Sequence, residues 1–480
     1  MQRLDPLKCY PLHSITQTRA LEHNAMVQLP EHTLMQRAGL AVANLACALA
    51  PHARTMWVAC GPGNNGGDGL EAAVHLQQRG YRPVVTWLGE PHAMPMDAKA
   101  AWQRAVAAGV GFETQPPLTT DLCIDALLGI GSTRPPMDRM ALWIESLNAS
   151  SAPVLAVDIA TGLNGDTGSR ASCCVRADHT LSLLTLKPGL FTAQGRDASG
   201  DVWWDALGVS DNIVTPEAVL SGSTGVVPRS YPHAIHKGTR GDVAVVGGAP
   251  GMVGAAFLAA CAALHAGAGR VFVSPLDASG MALHPTQPEL MLRSFTDLPL
   301  EHLTLVCGCG GGTRIQTVLP ELLRVARTLV LDADALNAIA ALPNLQELVR
   351  RRGDEQSTVL TPHPLEAARL LGCDTAQVQD NRLAAARELV KQFRCVVVLK
   401  GSGTITTAPL QTAVINSTGN GLLATGGTGD VLAGLIGARM ACGTPAFDAA
   451  WRSAMQHGQV ADHWPAGVPL TASALARALR

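Results

Sequence analysis

Two glycine-rich segments of the 480-residue chain place acidic residues where they can do chemistry. In Ala424-Thr425-Gly426-Gly427-Thr428-Gly429-Asp430, small residues let successive amides face one point, and Val431-Leu-Ala-Gly-Leu-Ile opens a helix behind them. Amides at a helix N-terminus bind anions and stabilise charge on phosphoryl oxygens. Asp430, at the edge of that hole, is placed to accept the proton of an attacking hydroxyl, as kinases of small alcohols require. The bland alternative is a capped helix start with Thr428 or Asp430 as N-cap. Two further segments argue against it. Lys400-Gly-Ser-Gly-Thr404 follows a buried strand, as a second nucleotide-contacting loop would, and in Asp332-Ala-Asp-Ala-Leu-Asn337 either Asp334 or Asn337 is placed to face the cleft.

The other segment, Asn64-Asn65-Gly66-Gly67-Asp68-Gly69, lies between a strand and a helix expected to start near Gly69. Its glycines allow amides to approach a phosphate, although it matches neither the dinucleotide-binding nor the P-loop pattern. A tight turn capped by Asn65 and Asp68 is the bland reading. Asp125-Ala-Leu-Leu-Gly-Ile-Gly131 and Val157-Asp-Ile-Ala-Thr-Gly-Leu-Asn-Gly-Asp-Thr-Gly168 each put an aspartate at the end of an apolar run, followed by glycines. Strand ends of one parallel sheet converge on one crevice, so Asp125 and Asp158 are predicted neighbours. One can hold a cation with oxygens such as the Asn65 amide and Thr161; the other is free for acid/base work.

The elements that must position these residues alternate in type. Met56–Cys60, Pro83–Trp87, Leu122–Leu128 and Pro153–Ile159 read as strands separated by helical patterns, which predicts a parallel sheet with helices on both faces. The pattern dissolves at 209–232 into Ser, Gly, Thr and Pro, the best linker candidate. A second series begins at 241–248, continues with a small-residue helix over 254–267 and five further strands, and closes with helices near 429–441 and 446–463. The expected fold class is therefore α/β in two domains, 1–220 and 230–480.

Composition agrees with this. Hydrophobic residues make up 47% and charged ones 15%, enough for sizeable cores, and the net charge of −2 argues against a nucleic-acid polymer or an anionic membrane as partner. No apolar run is long enough to cross a bilayer, and the polar N-terminus does not read as a signal peptide, so a cytoplasmic location is expected. The 12 cysteines include no C-x-x-C pair; Cys307 and Cys309, and Cys173 and Cys174, are read as reduced packing cysteines.

The motifs Asn64–Gly69, Asp125–Gly131 and Val157–Gly168, with Lys187-Pro-Gly-Leu190, resemble in this order the epimerase domain of the NAD(P)H-hydrate repair enzymes. The resemblance implies a Rossmann-like doubly wound domain in which Asn64, Asn65, Gly66, Gly67 and Asp68, with Gly129, Ile130, Gly131, Ser132, Thr133, Arg134 and Pro135, hold the hydrated nucleotide. It further implies a potassium ion among Asn65, Asp125 and Thr161, and Asp158 as the residue moving protons between R and S hydrates. One departure is Ala160-Thr161-Gly162, where the family has Pro-Ser-Gly; threonine keeps the hydroxyl and the carbonyl.

The second half resembles the ribokinase-like superfamily. More narrowly, His236-Lys-Gly-Thr-x-Gly-Asp-Val, Val246-Gly-Gly with Gly251-Met-x-Gly-Ala-Ala256, Leu331–Asn337, Leu360-Thr-Pro-His-Pro364 and Ala424–Asp430 are similar to the ADP-dependent NAD(P)H-hydrate dehydratase domain. By that resemblance Asp430 is the base. Lys400, Gly401, Ser402, Gly403 and Thr404, with Asn420, Gly421, Leu422, Leu423, Ala424, Thr425, Gly426, Gly427, Thr428 and Gly429, hold ADP. Ala255, Gly312, His363, Pro364, Leu365, Glu366, Ala367, Ala368 and Arg369 line the hydrate site. The family's Gly-Pro-Gly-Leu-Gly is Gly308-Cys-Gly-Gly-Gly312 here. His363, between two prolines, has a local turn role as its alternative reading. Magnesium is expected with the nucleotide. Small molecules (NADH hydrate, NADPH hydrate and ADP) are the expected partners, and a homo-oligomer the expected assembly. The competing readings are a small-molecule kinase with a regulatory first half, and a first half that binds nucleotide without catalysis.

Overall fold

The computed structural model describes residues 1–132, 134–210, 214–222, 233–234, 237–277, 284–353 and 356–479. The chain divides into two compact units, Met1–Gly222 and Ser223–Arg480.

In the first unit the strands are β1 (Gln2–Arg3), β2 (Tyr10–Leu12), β3 (Thr55–Cys60), β4 (Arg82–Trp87), β5 (Gly111–Glu113), β6 (Leu122–Ala126), β7 (Val154–Val157), β8 (His179–Leu183), β9 (Asp201–Asp205) and β10 (Ala218–Leu220). Eight of them form one sheet in the order β1-β9-β8-β7-β6-β3-β4-β5. Every pairing in it is parallel except β1 with β9. The chain leaves β3 in one direction and β6 in the other, so the topological switch lies between β3 and β6, where ligands bind. Val58, Ile124 and Leu155 from the strands meet Leu70 and Val74 of the helix Asn64–Gln78 and Val42 of the helix Thr33–Leu49 in the core.

Two boundaries differ from expectation. The helix begins at Asn64, not near Gly69, so the Asn-Asn-Gly-Gly-Asp-Gly segment is its first turns. Glycine disfavours helix in isolation, but here tight packing overrides propensity: a Cβ on Gly66 would lie 2.0 Å from the Gly61 carbonyl oxygen. The predicted linker also contains structure. Ala218–Leu220 pairs antiparallel with Tyr10–Leu12, with Ala218 and Leu220 buried, while 211–213 and 223–232 lie outside the described residues.

The second unit contains β11 (Asp242–Gly247), β12 (Arg270–Pro275), β13 (Met291–Leu292), β14 (Thr304–Cys307), β15 (Thr328–Leu331), β16 (Ser357–Leu360), β17 (Val396–Leu399), β18 (Ile405–Thr407) and β19 (Ala413–Ile415). They run side by side as β13-β12-β11-β14-β15-β16-β17-β18-β19. The pairings are parallel as far as β17 and antiparallel beyond it. Near-continuous Val and Leu runs in β11, β14, β15 and β17 fit strands covered on both faces. The helix Val253–His265 packs on Thr428–Ala441 through small residues: a Cβ on Gly434 would sit 2.0 Å from the Ala259 carbonyl oxygen. The last helix is Ala472–Ala478, one beyond the two expected. Among the described residues no helix is long and apolar enough to cross a membrane.

Candidate active sites

The first unit opens a cleft of about 360 Å3 at the C-terminal ends of β3, β6, β7 and β8. Asn64, Asn65, Asp68, Gly129, Ile130, Gly131, Ser132 and Asp158 line it, together with Glu22 and Asp97. Gly66 and Gly67 are buried and serve helix packing, Arg134 and Pro135 are exposed, and Thr133 lies outside the described residues. The helix cap is Gly63, with no side-chain cap, so neither Asn65 nor Asp68 has the bland capping role.

Asp158 follows β7 directly and takes a left-handed φ of 65°, a conformation that aspartate tolerates better than most side chains. The Ile130 and Leu183 amides donate to its carboxylate, at 3.5 and 3.3 Å. Lys187, fully buried, forms an ion pair with it and spends its remaining donors on Ser182 Oγ (3.2 Å) and the Leu183 carbonyl (2.8 Å). Its charge is thus directed at Asp158 and not at a ligand. Burial pushes Asp68 well above the usual carboxylate range, helped by the charge of Asp158, and Glu22 is raised for the same two reasons.

Asp125 and Thr161 are in contact, each fully buried. The Thr161 amide donates to Asp125 Oδ2 at 2.8 Å and its hydroxyl to Oδ1 at 2.7 Å. Burial pushes Asp125 up to about 6. Buried Asn65 has its Nδ2 without a hydrogen-bond partner.

In the second unit, four adjacent parallel strands, β14 to β17, deliver functional side chains just past their ends. Asp332 follows β15, Thr361 follows β16, Lys400 follows β17, and Cys309 comes two residues after β14. Asp332 Oδ1 accepts two hydrogen bonds, from Lys400 Nζ at 2.6 Å and from the Thr361 hydroxyl at 2.7 Å. Burial pulls Lys400 down, but the charges of Asp332 and Glu366 outweigh it and hold the ammonium above its ordinary range. Asp430 is the third residue of the helix Thr428–Ala441, whose cap is Gly427 at φ 91°, so neither Thr428 nor Asp430 has the bland capping role. Thr428 instead ties the loop down through the carbonyls of Leu423 (2.8 Å) and Thr425 (2.9 Å). Asn420 does the same from the other end, accepting from the Leu422 amide and donating to the Ala461 carbonyl, both at 3.0 Å. Gly429 permits a close approach: its Cβ would lie 3.2 Å from Lys400 Nζ. Burial and the charge of Asp332 push Asp430 up to about 7, where a general base works best near neutral pH.

The residues expected at the hydrate site fall into two groups. Gly312 donates its amide to Asp334 Oδ2 (2.8 Å), Asn337 reaches Asp334 Oδ1 (3.4 Å), and Arg369 donates to Asn337 (2.6 Å), so one polar chain joins Gly312 to Arg369. Ala255 lies beside Gly310, whose Cβ would be 2.9 Å from that of Ala255. His363 caps the helix Pro364–Leu371: its Nδ1 accepts from the Leu365 and Glu366 amides, and Glu366 accepts from the His363 amide. Its local turn role is therefore realised. Ala367 and Ala368 are buried, Leu365 is exposed, and burial pushes Glu366 up to about 7 beside Lys400 and Asp332. In the nucleotide loop, Thr404 Oγ1 donates to the Gly401 carbonyl at 3.0 Å, and Gly421, Thr425 and Gly426 are exposed. His236 lies outside the described residues.

A family model described as NAD(P)H-hydrate dehydratase matches residues 243–479, and one described as YjeF-related protein N-terminus matches 31–189. The chain is 36% identical over 449 residues to the bifunctional NAD(P)H-hydrate repair enzyme Nnr of Escherichia coli, covering 90% of this chain and 85% of that protein. It therefore belongs to the bifunctional NAD(P)H-hydrate repair enzymes. A relative of the same description from Leishmania braziliensis is 36% identical over 478 residues, covering 89% of this chain and 84% of its own length. Among solved structures, an ADP/ATP-dependent NAD(P)H-hydrate dehydratase of Bacillus subtilis, co-crystallised with ATP and magnesium, is 28% identical over 52% of this chain and 91% of its own, with a TM-score of 0.44. Both units have the α/β architecture, with largely parallel sheets, that the motifs implied.

Glu22, Asp97, Lys187, Cys309 and Asp332 were not singled out from the sequence as site residues. Two of them carried a usable signal. Lys187 interrupts the run Leu-Thr-Leu-Lys-Pro-Gly-Leu, and a lysine among apolar residues is buried only with a partner. Asp332 ends an apolar run as Asp125 does. Glu22 and Asp97 sit in polar helical stretches that look like any solvated face.

Proposed function

We propose that the chain epimerises the R and S hydrates of NADH and NADPH in its first unit and dehydrates the S form in its second at the expense of ADP. The observation that carries the second activity is Asp430, poised near neutrality at a helix N-terminus behind an exposed glycine loop. Asp430 removes the proton of the hydrate's hydroxyl, whose oxygen attacks the terminal phosphorus of ADP, and AMP departs. The bond between the ring carbon and the ester oxygen then breaks, phosphate leaves with the bonding pair, the neighbouring ring carbon loses its proton, and the nicotinamide double bond is restored. The products are NAD(P)H, AMP and phosphate. The first amides of the helix carry no intrahelical partner and face the phosphoryl oxygens. Magnesium accompanying the nucleotide would supply partial neutralisation of the phosphate charge.

In the first unit Asp158 moves the proton that interconverts the epimers, and the Lys187 ion pair holds its carboxylate in place. Asn65, Asp125 and Thr161 are the residues that would hold a potassium ion. A fully buried carboxylate with no cationic side chain among its described neighbours, and a buried Asn65 amide lacking a partner, suit a weakly hydrated monovalent cation. Such an ion would supply charge balance for the Asp125 carboxylate.

The test is incubation with an R/S mixture of NADH hydrate, ADP or ATP, and magnesium, following recovery of the reduced-nicotinamide absorbance. Full recovery is expected. Asp430→Asn should lose at least a hundredfold in rate with unchanged unfolding. Asp158→Ala should consume only the S half at the wild-type rate. A stable phosphorylated product without NADH would establish the kinase reading instead. R-hydrate turnover by Asp158→Ala at the wild-type rate would remove Asp158 from the mechanism.

A further inference from the structure

We propose that Cys309 is a positioning residue for Asp430: its thiol donates to the carboxylate and holds the base ionised and oriented. The proposal rests on the reading of Asp430 as the base. Cys309 Sγ, an Asp332 carboxylate oxygen and an Asp430 carboxylate oxygen all lie within 4.8 Å of one another. The backbone is built to aim this side chain inward. Gly308 and Gly310, on either side of it, have φ of 115° and 58°, so the chain turns sharply away from β14 at both flanks. The Cys309 carbonyl is held by the Gly248 amide at 2.9 Å, which fixes the residue between β11 and β14. Cys309 is fully buried, so no water competes for the thiol proton.

The charges around Asp430 show why such a donor matters. The charges of Asp332 and Asp334 favour protonation of Asp430; Lys400 opposes them, but is already committed to Asp332. Glu366, also pushed up to about 7, faces Lys400 and Asp332. His457, on the helix Ala446–Asp462, is bonded to the Thr428 carbonyl at 2.9 Å; burial takes it down to about 4, so it stays neutral and adds no charge. The remaining neighbour is the thiol. Burial, and then the charge of Asp430 itself, raises Cys309 far enough that it remains a protonated donor throughout the working pH range. A neutral donor favours the ionised base without adding a charge that would compete for phosphoryl oxygens.

Removing the thiol should therefore raise the pH at which the base gains its proton. The experiment compares full-length wild type, Cys309→Ala and Cys309→Ser for dehydration of S-hydrate with saturating magnesium and ADP, from pH 5.5 to about 9. In Cys309→Ala the acid limb of kcat/KM should move up by at least half a unit, a loss of roughly threefold or more below the limb with little change well above it. Cys309→Ser, which keeps a donor at the same position, should return the limb towards wild type. Thermal unfolding of each variant is measured alongside, because a cavity alone lowers stability without moving the limb. An unmoved limb in a folded Cys309→Ala, or a limb that moves equally in Cys309→Ser, would overturn the proposal. Asp430→Asn separates the two layers: if it keeps dehydration, the base assignment itself fails, whereas an inactive Asp430→Asn with an unmoved Cys309→Ala limb removes Cys309 alone.

Discussion

At the scale of single residues, both sites balance a buried carboxylate against its neighbours, and each balance has a measurable consequence. Asp158 has a fully buried lysine as its counter-charge. Replacing Lys187 by Met leaves the carboxylate unpaired, so the first unit should lose about 3–5 kcal/mol against urea, and epimerisation should fall with it. A loss under about 1 kcal/mol would mean that the pair behaves as a solvated one. Asp125 has no cationic side chain on it. Its folded-state value of about 6 lies above the ordinary value of 3.8, so between these pH values the folded protein binds more protons than the unfolded chain. Without a bound cation, stability should therefore fall as pH rises from 4 to about 6 and stay low above that. Potassium should restore it above about 6 in wild type and not in Asp125→Asn, read as melting temperature in potassium against tetramethylammonium chloride at equal ionic strength. These residues were unequally legible. Asp125, Asp158 and Asp430 stand at the ends of apolar runs or glycine loops, where strand topology alone exposes them to a crevice. Glu22 and Asp97 reach the cleft from helices, and no local pattern distinguishes a solvated helix acid from one brought to a site by tertiary packing.

At the scale of elements, the strands were readable because fully covered parallel strands are written as unbroken Val, Leu and Ile runs. The helix at Asn64 was not, because three glycines in its first six residues argue against helix on propensity. What overrides propensity is the distance to a neighbouring backbone, which is absent from the local sequence: Gly66 meets the Gly61 carbonyl and Gly69 meets Ala126, whose Cβ would be 2.5 Å away. The short strand Ala218–Leu220 was missed for a related reason, since its partner Tyr10–Leu12 lies some two hundred residues away in sequence. The same close packing carries the second site. The helix that presents Asp430 meets Val253–His265 through Gly434, where a Cβ would be 2.0 Å from the Ala259 carbonyl oxygen. Gly434→Ala must push the two helices apart, so it should cost about 1–3 kcal/mol and displace the phosphate loop. The expected signature is a raised KM for ADP together with a reduced kcat for dehydration, with epimerisation untouched. Wild-type KM in a destabilised variant would show that the loop is fixed by Thr428 and Asn420 independently of the helix pair.

At the scale of the whole molecule, the candidate residues of each site that the structure describes come from one unit. The residues lining the first cleft all come from Met1–Gly222, and the Asp332, Lys400, Cys309 and Asp430 cluster comes entirely from the other unit. Each unit also has its own apolar core. The chemistry proposed for each unit uses no residue of the other, and the R and S hydrates are small molecules free to diffuse from one protein to another. The two activities should then be separable in trans. With an R/S mixture and excess ADP, Asp158→Ala alone should recover the S fraction and then slow to the rate of spontaneous epimerisation. Asp430→Asn alone should recover none. An equimolar mixture of the two variants should restore complete recovery of NADH, at a final rate set by the wild-type unit of each. Failure to restore it, with each variant keeping its single remaining activity, would mean that the epimer passes between sites of one chain without release, and that covalent linkage of the units is part of the mechanism.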